Sequence, residues 1–392
     1  MAARAFDSRS ALAFVVAFGV VSLFADAAYE GMRGISGQFL ASLGANGAMV
    51  GLIAGGGELA GYLLRLVSGR WAERSGAYWG ITLFGYVVQM AAVPALALAQ
   101  NWQVAALLIL AERAGKAVRN PPRGVMLSRA GAHIGQGWAF GLHEAMDQTG
   151  ACAGPLIAAL VLARHGDYHD AFLWLGVPAA LTLLTVLAVR LRFNDAGHVA
   201  RPDEPGSTAH LSRAFWFYAA ASALVGFGFA DYPLIAFHFA KTSVVSVSWI
   251  PVFYALAMLA SGAGSLLFGR WFDRSGLIVL VPGLVIGALV APTVFFGGFA
   301  IALVGVLLWG LSQGVHEAVM NAAVATFVPE PLRARAYGLF SALYGIAWFA
   351  GSALLGLLYD HSRAALVAVS AAATLAALIP LAEAMKARRK EA

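Results

Sequence analysis

The residues able to do chemistry in this chain are charged side chains set inside apolar runs. Asp26, Glu30 and Arg33 follow at i, i+4 and i+7, and Glu112, Lys116, Arg119 and Arg123 at i, i+4, i+7 and i+11, so on helices each set forms one stripe. Two stripes of mixed sign can pair with each other. His143 with Asp147, and Glu144 with Gln148, add two i, i+4 pairs. A carboxylate beside a cation in an apolar bundle changes its affinity for a proton as water and the cation come and go, which is the chemistry of a proton relay. Asp26, Glu30, Glu112 and Glu144 are the candidate proton carriers, with Arg113 and Lys116 as the neighbouring cations. A purely structural ion network is the competing reading, and Glu58 with Arg65, two turns apart, fits it equally well.

Further polar groups fall in later apolar runs. Phe229-Ala230-Asp231-Tyr232 echoes Phe24-Ala25-Asp26 followed by Tyr29, which makes Asp231 the counterpart of Asp26 and Tyr232 that of Tyr29. Gln313, Glu317 and Asn321 form a stripe with His316 beside it. Together with Arg119, His143, Asp147 and His238 these are the candidate substrate contacts. His143-Glu144 and His316-Glu317 contain metal-ligand types, but they close no ligand set and do not match the two-histidine zinc pattern, so neither a metal site nor a cofactor is expected. An enzyme is not expected either, because no nucleophile–base pair stands out and no nucleotide-binding loop follows a strand.

The elements that must position these residues are membrane helices. Of 392 residues 60% are hydrophobic and 12% charged, against an apolar share of about 45–50% in soluble domains. Apolar runs of about 20 residues recur, long enough to cross a hydrocarbon core roughly 30 Å thick and too long for barrel strands of about 10 alternating residues. The fold class is therefore an all-α membrane protein. Each buried charge would cost ~2.5–3.5 kcal/mol facing lipid at mid-depth, so the charged residues must face one another or water. The single Cys152 excludes an intrachain disulfide. The first apolar run lacks a small-residue cleavage pattern after it and reads as a retained helix.

Twelve spans are expected. Six lie near 11–40, 47–68, 78–99, 103–127, 136–163 and 169–191, and six more near 214–240, 247–268, 277–298, 300–327, 334–359 and 364–384. Residues 1–192 and 214–392 make two six-helix bundles joined by the polar linker 193–213. Arg70, Arg74, Arg129, Arg270, Arg274 and the tail from Lys386 to Lys390 gather on the side of the N-terminus, with few cations opposite, which puts both termini and the linker in the cytoplasm. The net charge of +6 thus serves topology and not nucleic-acid binding. Pro155, Pro233 and Pro251 inside spans predict bends.

The two halves share a signature. Gly69-Arg70-Trp71-Ala72-Glu73-Arg74-Ser75-Gly76 returns 200 positions later as Gly269-Arg270-Trp271-Phe272-Asp273-Arg274-Ser275-Gly276. Twelve spans in two related halves, a polar linker and these twin turns resemble the major facilitator superfamily over essentially the whole chain. The resemblance makes Gly69, Glu73, Arg74 and Gly76, with Gly269, Asp273, Arg274 and Gly276, that family's cytoplasmic loop motif and gate latch. The basic residues that usually follow are replaced by Ala77 and Tyr78, and by Leu277 and Ile278. A plain turn with topology-setting arginines is the simpler alternative. Gly150, Gly154 and Pro155 are similar to the superfamily's antiporter motif, although Ala158 stands where Gly usually follows; an ordinary tight helix contact is the other reading.

The resemblance also implies that spans one, four, seven and ten line a central cavity, and that Arg113 near Gly115 matches a helix-four arginine tied to proton coupling. The expected function is a monomeric, multi-pass transporter of a bacterial inner membrane. It exchanges protons for a small organic molecule that it exports by alternating access, with no partner beyond substrate, protons and lipid bilayer. The alternative is proton-coupled uptake of a polar metabolite or metal complex.

Overall fold

The computed structural model describes residues 7–194, 211–316, 320–328 and 333–391. Most of the expected linker, 195–210, therefore lies outside the described residues. All regular structure among the described residues is helical. The helices are α1 (Ser8–Ser42), α2 (Gly47–Ser75), α3 (Tyr78–Ala95), α4 (Trp102–Ile134), α5 (Gln136–His165), α6 (Tyr168–Arg192), α7 (Arg213–Gly228), α8 (Tyr232–Thr242), α9 (Ile250–Ser275), α10 (Leu280–Phe296), α11 (Phe299–Val315), α12 (Asn321–Phe327), α13 (Arg333–His361), α14 (Arg363–Ala376) and α15 (Leu378–Glu391).

Among the described residues ten helical segments are long and apolar enough to cross a membrane. Span four, α4, is 33 residues long but carries Glu112, Arg113, Lys116 and Arg119 close together, and span ten comprises α11 and α12, with residues 317–319 between them outside the described residues. With these two the crossings number twelve. Helix ends follow local chemistry. Asn101, Ser212 and Ser362 accept hydrogen bonds from the amides of Val104, Phe215 and Ala365, satisfying donors that the first turn leaves open. Asp7 does the same for α1 through Ser10, and those hydrogen bonds hold its carboxyl below the usual range. The twin signature turns end α2 at Ser75 and α9 at Ser275, each followed by a glycine in the left-handed region, Gly76 at φ 68° and Gly276 at φ 63°.

The chain forms two compact units, Met1–Ser36 with Ala60–Asp203, and Gly37–Leu59 with Glu204–Ala392. The end of α1 and the start of α2 thus pack with the second unit. There Asp360 accepts hydrogen bonds from the first amides of α2, Gly47 at 2.9 Å and Ala48 at 2.8 Å, and a Cβ at Gly51 would collide with the Ser352 carbonyl. In the first unit α3 packs on α4 and α6. Helix α1 approaches α5 so closely that a Cβ on Gly150 would overlap the Leu23 carbonyl, and one on Gly154 that of Ala27. Small residues at this spacing are what permit the contact. Pro155 lies within the continuous α5.

In the second unit α9 packs on α11 through the same device, Gly310 against Ala257 and Gly314 against Ser261. The expected single span 214–240 is instead two helices. Pro233 sits in the first turn of α8, where its missing N–H is harmless, and the Asp231 side chain accepts from the Tyr232 amide at 2.8 Å. The carbonyls freed by the break are satisfied: Ser370 Oγ donates to Gly228 O at 2.6 Å and Trp309 Nε1 to Ala230 O at 2.9 Å. Pro251 likewise begins α9 and produces no bend within it.

Gly154→Val should lower unfolding free energy by about 1–3 kcal/mol through overpacking of α1 on α5. Gly61→Ala, at a position where an added Cβ meets nothing within 4 Å, should be neutral or mildly stabilising. Thermal unfolding of the two variants in detergent separates these outcomes.

Candidate functional site

The first unit gathers the charges of α1, α4 and α5 with polar groups of α3. Arg119 is its hub, fully buried on α4. Its Nε donates to Gln89 Oε1 at 2.5 Å and its Nη1 to the Tyr86 hydroxyl at 3.1 Å, while Nη2 faces Asp26 Oδ1 at 3.9 Å. Its guanidinium also lies over the Tyr86 ring, 4.4 Å from the centroid. Gln89 donates its amide to Glu112 Oε1 at 2.7 Å, so one neutral side chain bridges the buried carboxylate and the buried cation.

One turn along, Tyr29 of α1 collects three cations. Arg113 donates to its hydroxyl, Arg33 Nη1 lies 3.4 Å from the same oxygen, and Lys116 Nζ sits 3.5 Å above the ring. Glu30 faces Arg33 at 4.0 Å, and Glu112 Oε2 faces Arg113 at 3.9 Å. Toward the other end of the stripe, Arg123 Nη1 donates to Ser22 Oγ at 3.0 Å. Ser22 meets His143 Nε2 at 3.2 Å, and the same nitrogen faces Asp147 Oδ2 at 3.6 Å.

The pairs Asp26–Arg119, Glu112–Arg113 and Glu30–Arg33 stand 3.9–4.0 Å apart, whereas the neutral bridges of Arg119 and Glu112 are 2.5–3.1 Å. Neutral groups carry the close hydrogen bonds of Arg119, and Asp26 faces that cation at the outer limit of pairing. Such a carboxylate can exchange a proton without dismantling the hydrogen bonds that hold α3 and α4 together.

The sequence-derived residues divide accordingly. Asp26, Tyr29, Glu30, Glu112, Arg113, Lys116, Arg119, His143 and Asp147 converge. Glu144 does not: it is exposed and accepts from Gln148 at 2.9 Å. Gln89, Tyr86 and Ser22 are additional members. Ser22 lies one turn before Asp26 and extends the α1 stripe; Gln89 had only the signal of being a lone amide in an apolar run.

In the second unit Asp231 and Tyr232 are buried but serve the backbone. Asp231 caps α8, and the Tyr232 hydroxyl donates to Ile250 O at 2.6 Å. Asp231 thus caps a helix start, whereas Asp26 sits within a continuous helix and faces Arg119. His238 Nδ1 meets the Tyr359 hydroxyl at 3.0 Å. Gln313 and His316 are buried, and the His316 ring stands edge-on to Phe229 at 4.8 Å within an aromatic group that includes Trp309 and Trp348. Glu317 lies outside the described residues, as do the side chains of Asn321, Glu73 and Asp273. Among the described residues no group of three His, Cys, Asp or Glu is placed to hold a metal ion.

The Major Facilitator Superfamily model matches residues 10–352 and, a second time, 232–391. The chain belongs to this superfamily. It is a multi-pass membrane transporter. Among its relatives is an uncharacterised protein of Mycobacterium tuberculosis, 41% identical over 378 residues, which cover 94% of this chain and 92% of that one. The fosmidomycin resistance protein of Escherichia coli is 27% identical over 334 residues, covering 81% and 79%. A crystal structure of a mutant of the nucleoside transporter NupG superposes with a TM-score of 0.78 at 12% identity, covering 94% of this chain and 99% of that one, which shows the shared fold.

Gln89→Leu in this transporter should strip both Arg119 and Glu112 of their closest partners. Leaving buried charges under-satisfied is expected to remove about 2–4 kcal/mol of stability. Reversible unfolding in mixed micelles would check this, and a change below about 0.5 kcal/mol would refute the bridging role.

Proposed function

We propose that this transporter is a proton-coupled antiporter that exports a small organic molecule by alternating access, with the coupling chemistry in the first unit. The observation that carries the proposal is Asp26 set 3.9 Å from an Arg119 that keeps two neutral partners of its own. Protonation of Asp26 removes its attraction for Arg119 but leaves Arg119 anchored by Gln89 and Tyr86. Deprotonation restores the attraction. Proton occupancy can therefore shift α1 relative to α4 without stranding a buried cation. Glu30, four residues on, shares the stripe and faces Arg33, giving a second carboxylate for the same proton path.

Three further features support export. The small-residue seam of Gly150 and Gly154 with Pro155 is similar to the antiporter motif and holds α5 against the helix that bears Asp26. The twin turns ending α2 and α9 each close on a glycine of positive φ and suit paired latches at the cytoplasmic gate, with Arg74 and Arg274 in their last helical turns. The Escherichia coli relative is named for resistance to fosmidomycin, a role in keeping with removal of a compound from the cell. Positive residues at loop ends support a position of both termini on the cytoplasmic side of an inner membrane, and the protein is proposed to act as a monomer. The substrate would meet the cations around Tyr29 in the first unit.

Cells overexpressing the transporter should gain resistance to at least one member of a compound panel, and that compound should raise the melting temperature of the purified protein. In proteoliposomes its pH-gradient-driven flux should fall at least tenfold in Asp26→Asn and in Glu30→Gln, both variants retaining wild-type gel-filtration behaviour. Undiminished flux in both would remove the proton-site assignment, and sensitisation in place of resistance would point to uptake.

A further inference from the structure

The last helix carries a feature that neither transport nor the charge cluster uses. A groove of about 270 Å³ lies between α15 and the start of the ninth span, with Leu378, Leu381 and Met385 on one wall and Ile278 and Val281 on the other. Lys386 and Arg389, one turn apart on the same face of α15, line its end. The helix runs from Leu378 to Glu391, and the membrane-spanning stretch that contains it ends at Arg389. Apolar side chains thus occupy the part of the groove within the hydrocarbon depth, and the two cations stand where the span reaches the headgroups.

We propose that this groove is a binding site for an anionic glycerophospholipid, one acyl chain lying along Leu378, Leu381 and Met385 and the phosphate meeting Lys386 and Arg389. Order along the groove argues for an amphiphile: a soluble anion would use the cations but leave the apolar wall unexplained, and an apolar ligand would do the reverse. Charge complementarity selects a net-negative headgroup, each cation near a membrane surface contributing to anionic-lipid attraction. Lys386 Nζ also meets Glu383 at 2.7 Å, an exposed pair of the kind that contributes little and that a phosphate can outcompete. Arg388 does not line the groove; its guanidinium lies 5.8 Å from the centroid of the Phe327 ring. Site and diffuse tail charge are therefore separable by mutation.

Native mass spectrometry of the detergent-purified full chain, titrated with dioleoyl phosphatidylglycerol or dioleoyl phosphatidylcholine, tests this. The wild type should retain the anionic lipid preferentially. Lys386→Gln with Arg389→Gln should weaken that retention about 30-fold, given ~1 kcal/mol per cation and tenfold per ~1.4 kcal/mol. Arg388→Gln should stay within a few-fold of wild type. Ala382→Trp, which fills the groove and keeps every charge, should also lose retention, with circular dichroism and gel filtration establishing that it is folded. Equal retention of the two lipids, wild-type binding by the tryptophan variant, or an equal loss in Arg388→Gln would each overturn the site.

Discussion

The first unit depends on the burial of one arginine. Arg119 has no exposed surface, so its charge must be met from within the bundle, and among the described residues the groups that meet it come from two other helices: Gln89 and Tyr86 on α3, Asp26 on α1. That requirement reaches the backbone. Helices α3 and α4 approach so closely that a Cβ on Gly85 would lie 2.7 Å from the Gly115 carbonyl and 2.8 Å from Arg119 itself. Without that glycine contact Gln89 would stand too far away to bridge Arg119 to Glu112. The pattern of small residues and the pattern of charges are thus two sides of one constraint.

The two units solve polarity in different ways. The first tolerates carboxylates and cations because tyrosine, glutamine and serine fill the gaps between them. The second buries its polar residues mostly as servants of the backbone: Asp231 as a helix cap, Tyr232, Ser370 and Trp309 as donors to carbonyls. The positions matching Glu58 and Arg65 across the 200-residue offset are Met258 and Ser265, so the second copy has shed charge while keeping the signature turn. The two copies keep the signature and its closing glycine of positive φ, while the interior has diverged.

Much of this was readable from residue order, and the reasons are specific. The stripes of α1 and α4 were legible because a charge inside an apolar run must find a partner, and the helical period says on which face. The twin turns were legible because glycine, arginine and tryptophan recur in the same order. Gln89 was not, since an amide carries no net charge and its two partners lie on another helix. Glu144 counted among the proton carriers because it lies in an apolar run, but that run does not say which helix face is covered, and Glu144 is exposed. The division of span seven escaped notice because Pro233 announces a bend without saying whether it begins a new helix or kinks an old one.

That division changes what span seven is mechanically. A continuous helix of thirty residues yields only as a whole, each turn reinforcing the next. Here α7 is tied through Ser370 and the Met320 carbonyl, and α8 through Ile250 and Tyr359, with three non-helical residues between them. Each piece answers to its own neighbours. The span is thus two short hydrogen-bonded ladders joined at Phe229–Asp231, each held in place by side chains of its own neighbours and not by continuity with the other.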